Sequence, residues 1–289
     1  MVPTFTLLAL AVASLWFAGE NPAALLRRSL WLLFFLASLV AALATGVMRP
    51  VGLVSVAAVA AAAFGYYRPQ AGRGPKLAAG VALLALAVGL MLHRLPGFNN
   101  PRVIDAVRFT ADAIPFSLYL NFDKVVVGLF LLGWCHARIS RGAEWRTMLA
   151  VAAPRAPGVA LVVLALSLAA GYVRYEPKFP AETWLWLGVN LGFTCMAEEA
   201  IFRGFIQAQL ARAWANRTGG PGWALAVAAA LFGLAHAAGG PIYVALATAA
   251  GAGYGWIYQK TSRIEASILT HFAVNTVHFL LFTYPALQH

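Results

Sequence analysis

Three short runs in the C-terminal half of the chain place ionisable and amide side chains inside apolar sequence. The first is Glu198-Glu199-Ala200-Ile201-Phe202-Arg203. Glu199 and Arg203 stand four residues apart, so on a helix they share a face and can pair. Glu198 lies about 100° round the helix and is not neutralised by that pair, which leaves it as a candidate general base. The second run, Phe232-Gly233-Leu234-Ala235-His236, puts Phe232 and His236 on one face. The third, His271-Phe272-Ala273-Val274-Asn275, spaces His271 and Asn275 by one turn, and His278 continues the same stripe. Each run has a plainer explanation. Glu199 and Arg203 make sense as a packing ion pair, and His236 as a packed or interfacial residue. The His271 stripe makes sense as interhelical hydrogen bonding worth about 0.6 kcal/mol per bond, the account favoured for His278 alongside a supporting role. Taken together they supply a carboxylate, an ion pair, two imidazoles and a carboxamide. That set can activate a water and stabilise an oxyanion, which peptide hydrolysis requires.

The elements that must position these groups follow from composition. Of 289 residues 61% are hydrophobic and 11% charged, with a mean hydropathy of +0.75. Soluble domains carry about 25% charge, so a soluble enzyme is excluded, and the same apolar content excludes a disordered chain. Ten apolar runs are expected as helices, near 3–18, 30–46, 50–67, 76–92, 124–138, 157–173, 183–210, 222–238, 241–259 and 265–284. The fold class expected is all-α, a polytopic transmembrane helix bundle of about 8–10 spans. The runs are too long and too uniformly apolar for the dyad alternation of an outer-membrane barrel. The first run has no positive segment before it and reads as a retained span rather than a cleaved signal. Cys135 and Cys195 both fall inside apolar runs, which argues against a disulfide framework or a cysteine metal site.

The net charge of +11 reports topology rather than a nucleic-acid partner, for which no motif is present. Loops after the odd-numbered runs hold 13 Lys and Arg, the opposite side holds seven, and Arg203 alone lies inside a run. The 13-residue side, which includes Arg27, Arg28, Arg155, Lys260 and Arg263, is expected to face the cytoplasm and to meet membrane lipids. Two parts are expected. Residues 1–140 form apolar helices with a long loop at 93–123, an ordered lid or an interfacial linker, and residues 141–289 carry nearly all the intramembrane polar groups. A charge at the bilayer centre costs about 2.5–3.5 kcal/mol on insertion scales, so those groups are functional candidates by default.

The order EExxxR at 198–203, FxxxH at 232–236 and HxxxN at 271–275 resembles the CPBP family, the CAAX-protease and bacteriocin-processing intramembrane proteases, described as glutamic-type. The resemblance covers about residues 145–289 and implies a CPBP-type helical core at 141–289 with the site sunk in the membrane. It implies that Glu198 activates water, that His236 holds or polarises it, and that His271 and Asn275 stabilise the oxyanion. Glu199 and Arg203 would be a supporting pair, with Phe232 and His278 also supporting. Asn190–Gln207, His271–Leu287 and the loop ending LYLNFDK look like bacterial myxosortase-type members and the protease half of some exosortase fusions. That likeness implies a multi-pass protein of the bacterial inner membrane, acting on membrane-anchored proteins with C-terminal sorting tails and needing no cofactor. Two alternatives stay open. One is a zinc-dependent protease using Glu198, His236 and His271, although no HExxH is present. The other is a non-catalytic scaffold or transporter, although transporters favour paired repeats and here the polar groups gather in one half.

Overall fold

About 70% of the computed structural model is helical, as apolar runs require when their backbone polar groups must be satisfied away from water. It describes residues 1–16, 24–68 and 70–288. The end of the first apolar run, at 17–18, lies outside the described residues, as do the side chains of Arg27, Arg28 and Cys135. The elements in chain order are α1 (Val2–Ser14), α2 (Ala24–Ala44), α3 (Gly52–Tyr67), α4 (Arg73–Met91), β1 (Arg102–Val107), β2 (Phe116–Tyr119), α5 (Phe122–Cys135), α6 (Gly142–Ala152) and α7 (Ala156–Ala169). One helical run follows: α8 (Thr183–Val189), a π segment (Asn190–Cys195), α9 (Met196–Glu199), a second π segment (Ala200–Gln207) and α10 (Ala208–Ala213). The chain closes with α11 (Gly220–Leu234), α12 (Gly240–Thr261) and α13 (Ile264–Leu281).

Among the described residues, α4 and α13 are each long and apolar enough to cross a membrane. Two bent pairs, α6 with α7 (42°) and α11 with α12 (56°), qualify if each counts as one broken span, which gives two to four in all. The ten apolar runs yield fewer qualifying helices because several stop short. The 16 residues of α3 reach roughly 24 Å against a hydrocarbon core of about 30 Å. The run expected at 157–173 ends at Ala169, where Gly171 turns the chain with φ +65°. A further helix, α6, occupies part of 139–156, where a loop was expected; of its residues only Met148 and Ala152 are buried.

The chain divides into two compact units. The first comprises 1–101, 119–141 and 192–201. Its core is aromatic: Phe35 packs on Phe122 and Phe130, and Trp31 meets Phe130 edge-on. Helix α5 lies against α9 at Gly128, where a Cβ would sit 3.0 Å from the Ala197 Cα and collide with Met196. The start of the long loop pairs with the α2–α3 turn through Asn99 N–H to Val47 O and Arg49 N–H to Gly97 O, each 2.8 Å. Gly97 needs φ +101° there, and its Cβ would stand 2.6 Å from the Gly52 Cα. Buried Asp123, in the first turn of α5, binds His93 Nδ1 at 2.6 Å and the Asn100 amide at 2.9 Å.

The second unit comprises 102–118, 142–191 and 202–289. The middle of the 93–123 loop is a two-stranded hairpin, β1 with β2. Its turn is fastened to the C-terminal tail by Ile114 N–H to Ala286 O and Gln288 N–H to Asp112 O, and to the α7–α8 connection by the pair Arg174–Asp112 at 2.8 Å. Phe109 packs edge-on against Phe279 and Phe116 against Tyr284. Trp186 stacks flat on Phe279 at 4.2 Å and donates its indole N–H to the Tyr284 hydroxyl. Helices α11 and α12 approach closely at Gly233, where a Cβ would lie 2.7 Å from Val244 O and overlap the Thr248 hydroxyl. Gly233→Val is therefore expected to destabilise the protein by about 1–3 kcal/mol. Gly222→Ala, on the same helix but facing open space, is expected to lose nothing. Thermal unfolding of the detergent-solubilised variants measures both.

Candidate active site

The helix carrying the paired glutamates is locally widened. Two π segments, Asn190–Cys195 and Ala200–Gln207, flank the single α turn Met196–Glu199. Such segments are rare and concentrate at functional sites, because they re-aim side chains that a regular 3.6-residue helix would place elsewhere. Apolar periodicity does not report them, so the sequence reads as one plain span. Glu198 is 7% exposed and Glu199 fully buried. Both belong to the first unit, whereas Arg203, Phe232, His236, His271, Asn275 and His278 belong to the second.

In the second unit the centre is Arg203, with no exposed surface. Its Nη2 donates to Gly251 O at 2.6 Å. Its guanidinium carbon lies 4.6 Å from the Phe232 ring centroid, 5.4 Å from Tyr254 and 5.9 Å from Phe202. Cation–π attraction of this kind strengthens on desolvation. One turn on, Gln207 Nε2 donates to Gly255 O at 3.0 Å. Gly251 and Gly255 are themselves one turn apart on α12, and their lack of side chains lets two polar residues reach backbone carbonyls. A Cβ on Gly255 would sit 2.6 Å from Gln207 Oε1.

Phe232 connects the cation to both imidazoles. Its ring lies 4.7 Å from His236 and 5.6 Å, edge-on, from His271. His271 is buried and stacks on Tyr254 at 4.4 Å and 16°. His236 is half-buried just past the end of α11, and its Nδ1 lies 2.7 Å from Phe232 O. A carbonyl only accepts, so Nδ1 donates to it, and Nε2 is the ring nitrogen left for whatever occupies the site. Asn275, one turn beyond His271, donates Nδ2–H to Asn190 Oδ1 at 3.4 Å. His278 turns to the tail instead: its Nε2 bonds Thr283 O at 3.2 Å and its ring packs on Tyr284.

Residues 180–277 match the family model of the type II CAAX prenyl endopeptidases, Rce1-like. That segment is roughly a third of the chain and holds all three motifs. No curated protein and no solved structure matches. The match supports a peptidase of the CAAX type embedded in a membrane.

The sequence did not single out Tyr254, Gly251 or Tyr243, whose ring meets His236 edge-on at 5.4 Å. The available signal for Tyr254 was a phenol set among glycines, Gly251-Ala252-Gly253-Tyr254-Gly255. Among the described residues no group of three His, Cys, Asp or Glu side chains is placed to hold a metal ion. The cluster offers the second ring nitrogen of His236, one ring-packed imidazole at His271 and one amide donor at Asn275. These can bind a polarised carbonyl and its water. Arg203→Ala removes the Gly251 bond and three ring contacts, and is expected to destabilise the protein by about 3–5 kcal/mol. Tyr254→Phe, which keeps the stack on His271, is expected to lower the unfolding temperature less than Arg203→Ala does. Thermal unfolding in detergent distinguishes the two.

Proposed function

We propose that the chain is an intramembrane endopeptidase that hydrolyses a peptide bond near the C-terminal anchor or sorting tail of membrane-tethered or exported proteins, using a water activated by Glu198. The observation that carries this reading is the gathering of Arg203, Phe232, His236 and His271 around one buried centre, inside the segment that matches the endopeptidase family. Glu198 takes a proton from water, and the hydroxide attacks the scissile carbonyl carbon. His236 Nε2 accepts a hydrogen bond from that water and orients it. His271 and Asn275 donate to the oxyanion, Asn275 with the amide that Asn190 holds in place. When the C–N bond breaks, the proton passes from Glu198 to the leaving amine, so the carboxylate is regenerated.

The remaining residues hold this arrangement. Arg203 and Glu199 support the fold around the site, and Phe232 sets the spacing of the two imidazoles. A multi-pass protein of a bacterial inner membrane with its site opening outward suits substrates that have been exported. The substrates proposed are proteins with a short recognition motif, a transmembrane helix and a basic end. No metal or organic cofactor is invoked.

Co-expression with C-terminally anchored candidate substrates, followed by mass spectrometry of new C-termini, tests this directly. Glu198→Ala and His236→Ala are each expected to lower cleavage by roughly 10²–10⁴-fold at equal protein level. Asn275→Ala is expected to lower it by roughly 10²–10³-fold, as for loss of one oxyanion donor. Wild-type cleavage by Glu198→Ala refutes the reading. Inhibition by a chelator that zinc reverses replaces it with a metal-dependent protease, and proton-coupled uptake in liposomes replaces it with a transporter.

A further inference from the structure

Two cavities of the second unit adjoin, and neither involves the cluster around Arg203. The larger, about 600 Å³, is an apolar groove between α7 and α12. Gly158 and Val162 line one wall, Ala249, Ala252 and Trp256 the other, and Arg155 stands at its end. The smaller, about 370 Å³, lies between α6 and the end of α12 and is lined by Glu144, Val151, Lys260 and Arg263 among others. They meet at a seam. Arg155 follows Pro154 in the break where α6 and α7 bend by 42°, and its Nη1 donates to Val151 O at 2.6 Å. On the other wall Trp256 and Lys260 are one helical turn, about 6 Å, apart.

We infer that these cavities form one binding site for an anionic glycerophospholipid, with an acyl chain in the α7–α12 groove and the phosphate between Arg155 and Lys260. Charge complementarity decides the occupant. Arg155, Lys260 and Arg263 face one acid, Glu144, which pairs with Arg263 at 3.2 Å. Lys260 is exposed and Arg155 half-buried, and together they leave an excess of positive charge beside an apolar trough. An uncharged transmembrane helix would fill the trough without answering that charge, and a soluble anion would answer the charge without filling the trough. A lipid with one negative headgroup does both, and basic pockets between helices at the cytoplasmic membrane surface bind anionic lipids in this way. The level is consistent. Trp256 is 38% exposed beside the charges, where indoles sit at the headgroup boundary. Arg155, Lys260 and Arg263 also belong to the side that carries the larger share of loop charge. The inference does not depend on the peptidase reading.

The experiment uses the full chain, delipidated in mild detergent and exchanged into mixed micelles of equimolar phosphatidylglycerol and phosphatidylcholine, with native mass spectrometry as readout. Wild type is expected to retain one phosphatidylglycerol with a preference of roughly tenfold. Lys260→Gln is expected to reduce that preference by roughly fivefold, and Lys260→Arg to keep it. Ala252→Phe, which fills the groove, is expected to reduce retention of both lipids. Lys260 is solvent-exposed, so its variants test the headgroup even if Arg155→Gln or Ala252→Phe fails to fold. Equal retention of the two lipids by wild type overturns the inference, as does an unchanged preference in Lys260→Gln. Displacement of the lipid by inorganic phosphate shows an anion site only, and displacement by an uncharged transmembrane peptide shows a helix-docking groove; either overturns it.

Discussion

Removing a guanidinium from water is unfavourable by several kcal/mol unless hydrogen bonds and well-placed dipoles replace its hydration. Arg203 replaces part of that hydration with a bond to Gly251 O and the faces of Phe232 and Tyr254. Much of the second unit follows from it. Helix α12 must be bare at Gly251 for the guanidinium to reach a backbone oxygen, and α11 must bring Phe232 over the cation. The same ring then fixes the separation of His236 and His271. The charge that is hardest to bury thus holds three helices in register.

Close helix approach is the second requirement, and glycine supplies it at each place where it is needed. Gly233 lets α11 touch α12, and Gly251 and Gly255 admit Arg203 and Gln207. In the first unit Gly128 does the same for α5 against the turn that carries Glu198 and Glu199. In an apolar solvent, helices gain little from hydrophobic burial against one another, so short backbone distances and polar contacts take over. The far end of α13 is secured differently, by Trp186, Phe279 and Tyr284 and by the hairpin fastened to the tail. His278 belongs to that fastening through Thr283 O and Tyr284.

The 93–123 loop shows why its order could be read from sequence but its form could not. Its aromatic residues argued against disorder, and they are the groups that pack: Phe109 on Phe279, Phe116 on Tyr284. The pairing of Ala113 with Leu287 and of Tyr175 with Phe282 joins segments more than a hundred residues apart, which no local pattern encodes. Helix α6 was missed for a related reason, since eleven residues with only part of one face buried give too weak a periodic signal beside full apolar runs. The ten apolar runs and the two to four helices of full crossing length among the described residues differ because hydropathy measures how apolar a run is, whereas that length must also be unbroken, and breaks at Pro154, Gly171 and Ala235–Gly239 shorten the helices.

The sequence by itself determined the helical class, the apolar surroundings, and the residue types and spacing of the three motifs, because these depend on composition and on helical periods of three to four residues. The order of those motifs also points to a protease family. Only the tertiary structure decided which neighbours each group has: that Tyr254 stacks on His271, that Asn190 meets Asn275, that Gly251 receives Arg203, and that the glutamate turn lies between two π segments. Those contacts join the two π segments, α12 and α13 across long stretches of chain. They are set by how helices approach one another and where a backbone carbonyl is left uncovered, and neither quantity has a local signature in an apolar sequence.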